Sequence, residues 1–346
     1  MAANRRKSRK QKRLGAAGLL GGVSLFALVL AGAAAWLVLA PYGSSSETFV
    51  HVASGSSSAR IGRELQQAGV VRSRFAFDVV RLLQRGTLKA GVYRFNHPAS
   101  VPEVYNRIQR GDVYTIAVTI PEGANIFDIG ARLQQAGIGT RQQFLLAAVE
   151  EVGLIKDLDP EAKSLEGYLF PDTYRFSPNA TEAQIVQAMV RRFRAAAGKL
   201  GLSGNVHRVV TIASLVERET AIPSERPLVA SVLENRLAKN MPLMSDPSVI
   251  YGLELDGRWR GAIHQSDLAL DTAYNIYLHP GLPPGPVANP GYQSLSAAIS
   301  PAKTDYLYFV AAGANPQGRS LFATTLEQHD RDVAGYRKAV KQAGAR

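Results

Sequence analysis

From Leu14 to Ala40 the chain runs for 27 residues without one charged side chain. As a helix rising about 1.5 Å per residue, such a run reaches roughly 40 Å, more than the ~30 Å hydrocarbon core of a bilayer. Seven basic side chains precede it (Arg5, Arg6, Lys7, Arg9, Lys10, Lys12 and Arg13) with no acid among them. Basic residues on one flank predict a cytoplasmic N-terminus and an exported remainder. Trp36 and Tyr42 stand where interfacial aromatics are useful. The competing reading is a cleaved signal sequence, but its apolar region is about 7–15 residues long, and Pro41 is a poor neighbour for a cleavage site. An uncleaved single-span anchor is therefore expected over 14–40, behind a cytoplasmic tail at 1–13.

The anchor also accounts for the charge. The chain carries a net charge of +12, which in a folded domain would suggest nucleic acid. Without the tail, 33 basic residues face 28 acidic ones with no basic cluster, so no nucleic-acid partner is expected. There is no cysteine; disulfides, thiolate zinc sites and cysteine nucleophiles are excluded, while the compartment is left open. An apolar fraction of 46% against 20% charged residues is that of a folding chain.

Beyond a Gly43–Ser46 tether (linker 41–46) comes an internal similarity. Residues 61–70 read IGRELQQAGV and residues 129–138 read IGARLQQAGI, an offset of 68 that also aligns Gly55 with Gly123 and Val50 with Val118. Each copy predicts a strand (Phe49 to Val52; Ile116 to Ile120), a glycine turn, and a helix ended by Gly69 or Gly137. Two copies suggest a small α+β module of related halves rather than a solenoid. Between them, Phe75 to Leu83 and Val101 to Arg110 have helical spacing, the latter stopped by Gly111, and Leu88 to Phe95 reads as a strand. This first exported module covers 47–115.

From about 155 the elements lengthen. Helices are expected over Glu182 to Leu200, His207 to Thr220, and Ser224 to Asn240 with Ser224 as N-cap and Pro242 enforcing the stop. Residues 279–286 (HPGLPPGP) exclude helix and central strand. Tyr306 to Ala311 reads as a buried strand, and a last helix starts near Thr325.

Candidate chemistry centres on Glu217. Residues 209–216 (VVTIASLV) are uncharged and read as a buried helix, so Glu217 closes it where both burial and the helix dipole disfavour the anion. A glutamic acid protonated near neutral pH is what a general acid requires. Its face carries Val210, Ala213, Ser214, Thr220 and Ala221, mostly small, with room for a bulky substrate. The plain alternative is a carboxylate that reaches solvent or pairs with Arg218 or Arg226. Glu219 lies about 200° around the helix, off that face, so a second acid would come from elsewhere; Asp172 and Asp246 are candidates, though both fit turn or cap roles. The six histidines show no metal-binding spacing, and neither G-x-S-x-G nor a P-loop is present. No metal and no cofactor are expected. The aromatics Tyr168, Phe170, Tyr174, Tyr251, Trp259, Tyr274 and Tyr277 would suit a sugar cleft or ordinary core packing.

Five ordered stretches carry a resemblance: residues 165–174 (LEGYLFPDTY), 213–220 (ASLVERET), 246–251 (DPSVIY), 274–277 (YNIY) through 281–286 (GLPPGP), and 306–310 (YLYFV). With the anchor and first module, they make the chain resemble the endolytic murein transglycosylase (YceG-like) family, membrane-anchored bacterial enzymes that cut peptidoglycan glycan strands. The resemblance implies that Glu217 is the catalytic acid. It also implies a LysM-like module at 47–115 and a mixed α/β catalytic domain at 116–346, with core motifs at 165–330, hence an α+β fold behind one transmembrane helix. Glu166, Tyr168, Asp172, Tyr174, Asp246, Tyr251, Asn275 and Tyr277 are the candidate substrate contacts within those stretches. One departure is Met244, where the family often has glutamine.

The implied activity is lytic cleavage of the MurNAc–GlcNAc bond of nascent strands on the periplasmic side of the inner membrane, giving 1,6-anhydro ends. Peptidoglycan strands, the membrane and peptidoglycan synthases are the implied partners. A hydrolytic muramidase using Glu217 with Asp246 or Asp172, and a non-catalytic wall-binding scaffold, are the alternatives.

Overall fold

The computed structural model describes residues 22–315 and 318–344; the expected tail 1–13 and the start of the apolar run, 14–21, lie outside the described residues. The chain divides after Ile116 into two compact units. Helix α1 (Gly22–Leu39) is long and apolar enough to cross a membrane and none of it is buried, a test that a signal sequence also meets.

The first unit is a βααβ arrangement: β1 (Thr48–Val52), α2 (Ser58–Gln67), α3 (Arg74–Gln84) and β2 (Gly91–Phe95), followed by α4 (Val101–Arg110). The two strands are antiparallel, with Val50 opposite Tyr93 and Val52 opposite Gly91. That last pair explains why the second strand is shorter than Leu88 to Phe95: β1 has no residue left to pair upstream of Gly91, and Leu88 only packs on the core. Val50, Val52, Ile61, Leu65, Phe77, Val80, Tyr105 and Ile108 form that core. Side-chain caps set the helix starts, Ser57 for α2, Ser73 for α3 and Ser100 for α4. The start of the 41–46 segment is held in place. Tyr42 pairs with Ala99 in a β-bridge, Val38 of α1 packs on the core, and Arg72 donates to the carbonyls of Ala40 (2.9 Å) and Pro41 (3.2 Å).

The second copy of the repeat does not complete that module. It starts a second βααβ arrangement of its own: β3 (Ile116–Thr119), α5 (Ile126–Gln135), α6 (Arg141–Glu150) and β4 (Thr173–Phe176), with β3 paired to β4. Both copies keep the glycine turn and the left-handed glycine after the helix, Gly69 (φ 70°) and Gly137 (φ 77°). A two-stranded ladder is satisfied within one copy, so the copies need not share a sheet.

Helices then dominate: α7 (Glu182–Leu200), α8 (Val206–Glu219), α9 (Arg226–Ala238), α10 (Asp246–Leu255), α11 (Tyr292–Ile299) and α12 (Leu326–Gly344), with an antiparallel pair β5 (Tyr308–Ala311) and β6 (Ser320–Ala323). Three expectations change. Ser224 does not cap α9; Glu225 precedes it without a side-chain cap, and Pro at the second helical position sets the start. β5 is half-buried rather than core, because its sheet has only two strands. Asp246 opens a helix not foreseen, started by Pro247.

Helix α8 is the centre of the second unit. Val210 to Val216 are all buried, and α9 and α11 pack against it. The small side chains at 213 and 214 admit these neighbours, not a substrate: Ser214 Oγ donates to Thr211 O (2.8 Å) and accepts from Val287 N–H (3.0 Å). Gly167 shows the same closeness, with φ at 87° and no room for a Cβ, which would meet Pro286 at 2.6 Å.

Candidate active site

Glu217 lies in the last turn of α8, and its side chain is 4% exposed. Two donors meet its carboxylate: Arg226 Nη2, in the first turn of α9, at 2.7 Å from Oε1, and the backbone N–H of Gly291, just before α11, at 2.8 Å from Oε2. Of the two pairings open from sequence, the one with Arg226 is formed. Burial pushes the carboxyl above the ordinary glutamate range, against the Gly291 N–H and the Arg226 charge, while the Glu122 carboxylate adds to the rise. The buried Ser294 hydroxyl, which has no hydrogen bond of ordinary geometry, also favours the charged form.

Arg226 is buried yet reaches a second carboxylate, Glu122 Oε2 at 3.3 Å, on a side chain 46% exposed. Because both acids sit on one nitrogen, their nearest oxygens are no more than about 6 Å apart, the sum of the two contacts. Glu122 belongs to the turn between β3 and α5. The next residue, Gly123, packs on Glu217, a Cβ there falling 3.5 Å from Glu217 Cγ; its N–H donates to Asn289 O, and Arg218 Nη1 donates to Gly123 O. A Cβ at Gly291 would lie 1.8 Å from Glu122 Oε1, so any larger residue there would push that half-exposed carboxyl aside. Sequence reasoning found this turn through the repeat but missed Glu122; the signal was an acid in the turn of the second copy where the first has Ser54.

The other expected contacts fall into two sets. Glu166, Tyr168, Tyr251 and Asn275 are buried and engaged inside the fold. Glu166 accepts from Ile126 N–H (2.9 Å), at the start of α5, and from Asn289 Nδ2 (2.7 Å), and burial pushes its carboxyl up to about 8. Tyr168 donates to Asp159, which also holds His207 Nδ1 (2.8 Å). Tyr251 packs edge-on to Tyr274, and Asn275 clamps its loop through Leu268 O, Leu270 O and Tyr277 N–H. These four side chains are engaged inside the fold, with Glu166 and Tyr168 bordering a cavity of about 30 Å³ beside His207 and Tyr274. Asp172, Tyr174, Asp246 and Tyr277 lie nearer the surface, but none is bonded to Glu217. Asp172 pairs with Arg192 (2.6 Å), which holds its carboxyl below the usual range. Tyr174 donates to Phe170 O, and Tyr277 donates to Asp246 Oδ1 (2.6 Å).

Two of the aromatics line cavities that do not include Glu217. Trp259 lines a cavity of about 450 Å³ with Arg258, Arg260 and Asp267. Tyr277 lines one of about 290 Å³ with Glu219, Arg236 and Met244. Glu219 accepts from Ser245 there, and burial raises its carboxyl. No group of metal-ligating side chains occurs among the described residues.

The sequence and the fold place the chain among proteins already seen. A crystal structure of a YceG-like protein from Listeria monocytogenes superposes with a TM-score of 0.54 at 32% identity, covering 83% of this chain and 99% of that one. The sequence matches the YceG-like family over residues 50–335, and the chain belongs to that family. The endolytic murein transglycosylase of Bacillus subtilis is 32% identical over 92% of this chain and 91% of its own length. That of Streptococcus pneumoniae D39 is 30% identical over 86% of this chain, which spans 60% of that longer protein.

Proposed function

We propose that this protein is an endolytic peptidoglycan lytic transglycosylase and that Glu217 serves as its acid and then its base. Glu217 protonates the glycosidic oxygen as the bond from MurNAc C1 breaks. As carboxylate it takes the proton of the muramyl C6 hydroxyl, whose oxygen attacks C1 and closes the 1,6-anhydro ring. No water is consumed, so one carboxyl suffices, whereas ordinary glycosidases use two. The observation that carries this reading is the balance at Glu217. Burial favours the acid form, and Arg226 and the Gly291 N–H are already placed to receive the carboxylate once the proton has left. The names of the relatives support the substrate, and α1 supports a membrane anchor with the catalytic unit on the periplasmic side. The βααβ order of the first unit supports a LysM-like role in holding glycan.

The test is Glu217→Gln in the purified full chain acting on isolated glycan strands, followed by mass spectrometry of the products. Loss of 1,6-anhydro ends from a variant that remains folded is expected; retained cleavage would sink the assignment. A hydrolytic second reading draws on Glu122, the one carboxylate that shares a cation with Glu217 among the described residues. Products heavier by one water would favour it.

A further inference from the structure

Helix α3 presents two apolar faces. One, with Ala76, Phe77 and Val80, is buried in the core of the first unit. The other, Phe75, Val79, Leu82 and Leu83, is 50–78% exposed, and its i, i+4, i+7, i+8 spacing draws it into one stripe about 12 Å long. A single large apolar residue on a surface is ordinary; a contiguous stripe down one helix marks a contact surface.

The place of this helix says what the surface meets. Arg72, two residues before α3, donates to the carbonyls of Ala40 and Pro41, where the chain leaves α1, and its guanidinium lies 4.2 Å over the Trp36 ring and 4.8 Å over Tyr42. The first turn of α3 is thus tied to the end of the apolar helix, at the level where Trp and Tyr mark a membrane interface. Residues 72–85 carry four arginines (Arg72, Arg74, Arg81, Arg85) against one acid, Asp78, the charge that an anionic headgroup layer attracts.

We propose that α3 lies in the headgroup layer of the membrane that α1 crosses, with Phe75, Val79, Leu82 and Leu83 in the acyl boundary, so that the first unit is seated on the lipid surface. The proposal rests on the anchor reading of α1. Arg72 fixes the approach, the stripe supplies the apolar contact, and the net positive charge of the segment adds attraction to anionic headgroups. The tied residues Pro41 and Tyr42 are then a mount at the end of α1.

The native chain has no cysteine, so single labels are clean. The full chain is reconstituted into phosphatidylcholine–phosphatidylglycerol vesicles with an NBD fluorophore at Leu82→Cys, at Leu28→Cys in α1, or at Gln67→Cys on the exposed side of α2, and quenched by doxyl lipids. The expected result is severalfold stronger quenching at 82 than at 67, most efficient with a shallow doxyl group, and deep quenching at 28. Deep quenching at 28 with position 82 no more quenched than 67, whether wet or covered by protein, overturns the seating of α3 and leaves the anchor standing. An unquenched position 28 overturns the anchor, and the seating with it.

Discussion

Removing the cation that joins the two acids should move the pH at which the enzyme works. In Arg226→Met the buried side chain keeps its length but loses the guanidinium that lies 2.7 Å from Glu217. The pair is poorly screened, with side chains 6% and 4% exposed. At an effective dielectric near 20, a unit pair about 4 Å apart is worth about 4 kcal/mol, and 1.36 kcal/mol corresponds to one pH unit. Glu217, already held high by burial, should therefore rise further. Part of the lost attraction is recovered when the carboxyl takes up a proton, so the variant should still fold. The sign follows from the order of steps. The acid form persists to higher pH, and the carboxylate needed to accept the C6 proton loses its strongest partner. The alkaline limb of the pH–rate profile should thus move up while the plateau falls. Cleavage of isolated glycan strands by the purified chain, followed across pH with anhydro ends counted by mass spectrometry, measures both. Arg226→Lys, which keeps the charge but not the planar fork, should fall between. An alkaline limb that stays in place or moves down in Arg226→Met would refute the reasoning.

Stability should carry its own pH signature from Glu166. Its carboxyl titrates near 4.5 when free and is raised to about 8 in the fold, so the native state binds more protons than the unfolded one between those values. The stabilisation is complete below about 4.5 and lost as pH climbs through 8, with a ceiling of roughly 5 kcal/mol. Urea unfolding at pH 5 and pH 8 should show a larger loss in the wild type than in Glu166→Gln; equal losses would mean that the Ile126 and Asn289 donors hold the carboxylate ionised throughout. Tyr168→Phe leaves Asp159 with one partner fewer and should cost about 1–3 kcal/mol of stability with the turnover rate intact; a slowed reaction at unchanged stability would place Tyr168 at the substrate.

Much of the fold was legible because its signals are local. α4 spans the expected residues because Ser100 caps it, Pro102 suits its first turn and Gly111 (φ 78°) ends it. α7 does so through the Thr181–Gln184 capping box and Gly201. The misses arose where a partner distant in sequence decides. Ser224 looked like a cap, but the chain enters α9 so that Glu225 can reach Ser320 N–H (2.8 Å) and Thr220. Residues 306–311 looked like a core strand, yet burial depends on how many strands a sheet acquires. Glu166 and Tyr168 stand in a stretch that reads as a site, and their depth of burial was not legible there, because it depends on which segments pack over them.

By itself the amino-acid order determined that an uncharged run long enough for a bilayer leads the chain, where most helices start and stop, and that an acid terminates an apolar helix. Those are properties of neighbours within a turn or two. Only the tertiary structure decided which cation meets that acid and that Glu122, 104 residues before Arg226, shares it. Only packing brought Arg72, just before α3, onto the carbonyls at the exit of α1. A buried charge takes its partner from whatever packing brings within a few ångströms, and that proximity is made by the core, not by the spacing of letters.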